Sequence, residues 1–225
     1  LAIKRIGGEI IVNNKSVGTA ILLLALTACG GSKDSVIVSC EPLGELEPVC
    51  GLQAPEDIAV IPGERFLLLS QFGGMEGEGS GNIALFDTTD RSVAVLFPIV
   101  REDEQTEVWG DGSCASAPGD EFSPHGTHLH QLSDGRWRYA VVNHGGREAV
   151  ELFELASLQQ PQLQWRGCVS PTENTIMNDV VGLANGDLVY TRMFPADDSM
   201  AMIKSFVGLN TGEVWRWSGE SGLKA

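Results

Sequence analysis

The sequence predicts an all-β chain built from a repeated four-stranded antiparallel unit, and three features predict it. First, 27 glycines and short apolar runs broken by Gly, Asp, Asn and Pro at fairly regular spacing favour many short strands over a few long helices. Second, residues 122–155, FSPHGTHLHQLSDGRWRYAVVNHGGREAVELFEL, hold all four histidines and read as three consecutive strands joined by tight turns. Third, the outline of that meander recurs on either side of it. With 43% hydrophobic and 20% charged residues among 225, the composition is that of a globular chain with room for one substantial domain.

In the meander, a strand from His125 to about Leu132 meets the turn Ser133-Asp134-Gly135-Arg136, where glycine allows a positive φ. A second strand covers 137–143, His144-Gly145-Gly146-Arg147 reverses the chain, and 148–155 alternates charged and apolar residues as a half-buried strand does. A fourth strand is expected at 162–166. Before it, one unit is outlined by 57–61, a Pro62-Gly63 turn, 65–70, a glycine-rich loop through Gly81, 82–87, a turn at 88–91 and 93–97. Residues 101–120 are acidic and small, lack a period and read as a long connection. A third unit opens at Asn178-Asp179, with 180–183, an Asn185-Gly186-Asp187 turn, 188–192, an insertion around 200–206 and a strand at 213–218, and then stops before a fourth strand. The three openings, at Glu56, His125 and Asn178, are 69 and 53 residues apart, a loose repeat of a propeller-blade type of unit.

Upstream, Lys4, Arg5 and Lys15 precede the apolar run 17–26, which is short for a membrane span, and then Leu26-Thr27-Ala28-Cys29. This order predicts an export signal over 1–29, followed by a tether and N-terminal segment over 30–50 and the β domain over 51–225. Leu-Thr-Ala-Cys resembles the bacterial lipoprotein box, which implies a lipid anchor on Cys29 and a place in the cell envelope. Cys40, Cys50, Cys114 and Cys168 then remain, an even number in a disulfide-permissive compartment. Three pairings are open, and Cys40 with Cys50 and Cys114 with Cys168 is preferred, the second pair being expected in loops.

The formal charge of −15, from 30 acidic and 15 basic residues, would repel a phosphate backbone, so nucleic acid is not an expected partner. Acidic residues gathered at one place would instead suit a hard cation such as calcium. In a propeller the first strand of each blade lines the central channel, so the residues opening those strands converge: Glu56-Asp57, His125-Gly126-Thr127 and Asn178-Asp179. The bland alternative is that an Asp or Asn opening a strand bonds its own backbone.

Ser123-Pro124-His125-Gly126, Val141-Val142-Asn143-His144, Val150-Glu151-Leu152-Phe153 and Asn178-Asp179-Val180-Val181, in this order, resemble the calcium-dependent paraoxonase/arylesterase family, relatives of gluconolactonase-type six-bladed propellers. The resemblance spans roughly residues 52–217. It implies a six-bladed β-propeller of which about three blades lie in this chain, and hydrolysis of lactones or aryl esters with two calcium ions in the complete protein. By resemblance, Glu56 and Asn178 match ligands of a catalytic calcium, and Asp57 and Asp179 match ligands of a structural one. The backbone carbonyl of Thr127, where relatives often have Ile, matches another structural-site ligand, and His125 and His144 match the family's histidine pair. Later-blade ligands have no counterpart, so this portion alone is expected to be inactive. The alternative reading is a non-catalytic propeller that binds a protein or small ligand, with calcium serving only stability. His128 and His130, two apart on one strand, lack a nearby third zinc ligand and are expected at the surface or channel wall. Trp215 and Trp217 are expected to pack between sheets.

Overall fold

The computed structural model describes residues 5–6, 9–10, 40–74, 79–98, 107–171, 174–219 and 222–224. The chain divides into two compact units, Leu1–Pro48 and Val49–Ala225. In the first, Arg5–Ile6 pairs antiparallel with Glu9–Ile10, and Leu43 and Leu46 form an isolated bridge. The apolar run 17–26 and Cys29, on which the expected export signal and lipid anchor rest, lie outside the described residues. Among the described residues, no helix is long and apolar enough to cross a membrane.

The second unit is three sheets, antiparallel apart from one parallel pair of strands. The first holds β1 (Pro55–Val60), β2 (Phe66–Gln71), β3 (Asn82–Asp87) and β4 (Val93–Phe97) in sequential order. The middle sheet adds β5 (Trp109–Gly110) to β6 (Pro124–Gln131), β7 (Trp137–Asn143), β8 (Ala149–Leu155) and β9 (Leu163–Val169), in the order β5-β9-β8-β7-β6. The third holds β10 (Ile176–Gly182), β11 (Leu188–Phe194), β12 (Glu213–Ser218) and β13 (Gly222–Lys224). A short helix, α1 (Ala201–Phe206), fills the predicted insertion. Among the described residues none of the sheets closes into a barrel; the opening strands stand side by side, β6 between β1 and β10.

Strand alternation explains how the middle sheet is held. On β7, Tyr139 and Val141 join Phe153, Leu155 and Leu163 against Leu68, Ile83 and Phe97 of the first sheet and Ile61 of the turn between its first two strands. Ala140 and Val142 point the other way, with Val150, Leu152 and Val169, onto Met177, Val180, Leu188 and Tyr190 of the third. Both faces of the middle sheet are therefore buried, while the outer sheets keep Ile58, Val60, Val93 and Val95, and Val181 and Val214, exposed. Trp217 is buried in the second of these cores with Trp215 packed against it, as expected of the pair.

Four expectations are corrected here. The connection 101–120 contains β5, which pairs parallel with Gly167 and Cys168. The third unit does have a fourth strand, β13, paired with Arg216 to Ser218. Cys114 is bridged to Cys168 as preferred, but Cys168 sits on β9 and not in a loop; Cys40 and Cys50 are also disulfide-bonded. The strand read as half-buried, β8, is buried on both faces, because Glu151, fully buried, is matched by Arg147 at 2.7 Å and by the indole Nε1–H of Trp165 at 2.8 Å.

His130 is not a surface residue either. Its ring stacks on His128 at 5.3 Å and is capped by Gly182, where a Cβ would collide with the imidazole. Arg138 Nε donates to His130 Nε2 at 3.0 Å, and its other nitrogens donate to the carbonyls of Gly186 and Asp187. Burial, reinforced by the Arg138 charge, pushes His130 down to about 4 from its ordinary 6.5. Below about pH 6.5 the unfolded chain therefore takes up a proton that the native chain refuses until about pH 4. This contribution to stability is complete above pH 6.5 and is lost as pH falls towards 4. The urea midpoint is expected to drop between pH 7 and pH 4.5, and to drop less in His130→Gln, which keeps an acceptor for Arg138.

Candidate functional site

The three sheets open alike. Ile58 lies opposite Leu69, Thr127 opposite Val141 and Val180 opposite Tyr190, with the ladder register shifting between Pro55 and Asp57, between Pro124 and Thr127 and between Met177 and Val180. This alignment makes Glu56, His125 and Asn178 equivalent, and likewise Asp57, Gly126 and Asp179. Asp57 N–H donates to Ser70 Oγ and Asp179 N–H to Thr191 Oγ1, each hydroxyl lying on the neighbouring strand. Asp57 Oδ1 accepts from the Ile58 amide at 2.7 Å and Asp179 Oδ1 from the Val180 amide at 2.8 Å. The local backbone bonding expected of a strand-opening aspartate is thus present at both, which preshapes the bulges.

These openings line one recess of about 180 Å³, formed by Glu56, Asp57, His125, Gly126, Asn178 and Asp179. The strands meet closely there because residue 126 is glycine: a Cβ would lie 2.6 Å from both Cα and Oδ1 of Asp179. Asp57 Oδ2 reaches across to the middle sheet and accepts from Thr127 N–H at 2.7 Å and Thr127 Oγ1–H at 2.9 Å. Thr127, named for its carbonyl, meets the site through its amide and hydroxyl.

His125 spans the recess. Its Nδ1 lies 2.8 Å from the carbonyl oxygen of Asn178, an acceptor only, which puts a proton on Nδ1. Its Nε2 faces Glu56 Oε1 at 3.0 Å. The His144 ring meets it edge to face at 5.2 Å, and Phe72 contacts both rings, at 5.5 and 6.2 Å. His144 is buried; its amide donates to the Ser123 carbonyl, its Nδ1 lies 2.8 Å from Glu148 Oε2, and its Nε2 has no hydrogen-bond partner among the described residues.

No family model and no curated protein matches this chain.

The turn that carries His144 is shaped by Asn143. Its Oδ1 accepts from the amides of Ser123 and Gly145, and its Nδ2 donates to the carbonyls of Gly145 and Arg147. Ser123 Oγ in turn bonds Gly73 N–H and the Gly74 carbonyl, tying the start of β6 to the loop after β2. Phe72, Ser123, Asn143 and Glu148 were not among the residues the sequence singled out for the site. Ser123 and Asn143 stand within the two histidine motifs, which is the signal that points to them; Phe72 gives none.

In donor chemistry the recess suits a hard cation, since Glu56, Asp57 and Asp179 bring carboxylates and Asn178 a carboxamide. Among the described residues, no three His, Cys, Asp or Glu side chains stand in metal-holding geometry. The oxygens come from two strands, with His125 and Gly126 between them.

Proposed function

We propose that this chain forms consecutive blades of a β-propeller of the paraoxonase/arylesterase type and belongs to a calcium-dependent hydrolase of lactones or aryl esters. The observation that carries the reading is the convergence of three equivalent strand openings on one recess, with His125 in its wall and His144 against it. Three consecutive sheets, each with a run of four sequential antiparallel strands and with β6 standing between β1 and β10, support the propeller, as do the apolar faces that the outer sheets leave exposed. Glu56, Asn178 and Asp179, with Asp57 behind them, would hold calcium, which supplies a Lewis acid for the substrate carbonyl.

The chain's own residues do the proton work. With Nδ1 donating to the Asn178 carbonyl and Nε2 directed at Glu56 Oε1, His125 would accept a proton of the attacking water at Nε2 only once that nitrogen is released from Glu56 and bare. Glu56 competes for that nitrogen until its carboxylate is engaged elsewhere. His144 supports the ring of His125 by edge contact, and Phe72 contacts both rings edge-on. The protein is exported, anchored by lipid at Cys29 in the cell envelope, and acts on a small neutral ester or lactone.

A second reading, a binding propeller in which calcium serves only stability, is favoured by the backbone bonds that Asp57 and Asp179 already make. Substitution His125→Gln separates the two. In the full-length calcium-loaded protein it is expected to lower kcat/KM for lactones by about 10² to 10⁴-fold, the usual worth of a positioned acid or base, with calcium affinity unchanged. A wild type that turns over no member of a broad lactone and aryl ester panel rejects the hydrolase.

A further inference from the structure

We propose that Glu148 is the positioning residue of the histidine pair: its carboxylate fixes the proton of His144 on Nδ1 and so leaves Nε2 as the acceptor nitrogen. The proposal deepens the hydrolase reading for its catalytic consequence, and stands on geometry for its structural one.

Glu148 precedes β8 and follows His144 by four residues, so the 144–147 turn folds its side chain back onto the imidazole. The two carboxylate oxygens have separate tasks. Oε2 lies 2.8 Å from His144 Nδ1, while Oε1 accepts the Met177 amide at 2.6 Å. The Met177 amide is a permanent donor. It points out of its own sheet because the β10–β11 register shifts on both sides of Met177. The neighbouring Asn178 carbonyl receives His125 Nδ1 from the same bulge. Adjacent backbone groups of β10 thus set both rings, one directly and one through Glu148.

A carboxylate can only accept, so His144 must donate from Nδ1. In the neutral ring Nε2 then carries a lone pair, and it is buried without a hydrogen-bond partner among the described residues, beside His125. A buried bare acceptor is costly unless it is used. The two rings meet edge to face at 5.2 Å without a hydrogen bond between them, so on the hydrolase reading the orientation of His144 reaches His125 through that ring contact.

The substitution Glu148→Gln gives a distinctive test. The Met177 amide demands an acceptor, so the carboxamide oxygen takes that place and the NH₂ group turns to His144 Nδ1. The ring must then accept at Nδ1, and its proton moves to Nε2. Nitrogen-15 NMR of the full-length protein labelled at histidine is expected to show His144 protonated on Nδ1 in the wild type, inverted to Nε2 in Glu148→Gln and mixed in Glu148→Ala. Turnover of a lactone by Glu148→Gln should fall about 100-fold in kcat with KM unchanged, within the range for a positioned acid or base. A wild-type His144 protonated on Nε2, or a tautomer that Glu148→Gln leaves unmoved, overturns the proposal, and the first of these is readable even if the variant does not fold. If the wild type hydrolyses nothing while the tautomer inverts, the hydrolase reading fails and the positioning role stands.

Discussion

Gly126→Ala is expected to destabilise the protein by about 3 kcal/mol, at the upper end of what an inserted methyl costs in a close-packed site. The reason is space and not backbone torsion. The added Cβ would fall on the carbonyl oxygen of Asn178 and within 2.6 Å of Asp179 Cα and Oδ1, two of the three being backbone atoms of β10, which is held by its ladder with β11. Relief requires β10 to move away from β6. That movement would also break the 2.8 Å contact of His125 with the Asn178 carbonyl and widen the recess, so stability and activity should fall together. Gly135→Ala serves as the control. Gly135 has φ of 91° with open space around its Cβ position, so only the torsional cost applies, about 1 kcal/mol. Urea unfolding of both variants checks the contrast, and equal midpoints would show that the sheets do not meet at Gly126.

Much of the fold was legible because alternation and turn chemistry act locally. The strands before and after Pro62-Gly63, Ser133–Arg136 and Asn185–Asp187 fall where the apolar runs and glycines put them. What was not legible depends on partners distant in sequence. β5 is two residues long and exists only because Gly167 and Cys168 offer a free edge to Trp109 and Gly110. Glu151 reads as the exposed side of a strand, yet it is buried, since Arg147, Trp165 and Asn143 meet its oxygens. His130 reads as a wall residue, but an arginine eight residues away and a glycine from the third sheet enclose it.

The site divides in the same way. The strand-opening pairs Glu56-Asp57, His125-Gly126 and Asn178-Asp179 could be named from the repeat, and they do share one recess. Glu148 could not, because as one charged residue in an alternating strand it looks like solvated surface. Its role comes from the register shift at Met177, which no local pattern announces.

Calcium binding is the second large effect, and its loss on removing a ligand is the most direct test of the account. On the proposed reading, Glu56 and Asn178 come from equivalent positions of two sheets and hold the same ion, so neither sheet alone supplies the site. Removing outer-sphere partners of a metal typically weakens binding by about 10 to 100-fold, and removing direct ligands should do at least as much. Calorimetric titration of the full-length protein is expected to show saturable calcium binding, weakened about 100-fold or more by Glu56→Gln combined with Asn178→Ala. The paired variant should keep its fold, because neither side chain lies in the buried cores between the sheets. Loss of calcium binding together with loss of lactone turnover is the predicted result. Unchanged calcium affinity in the paired variant, with the wild type binding calcium, would place the ion elsewhere and contradict the recess as the metal centre.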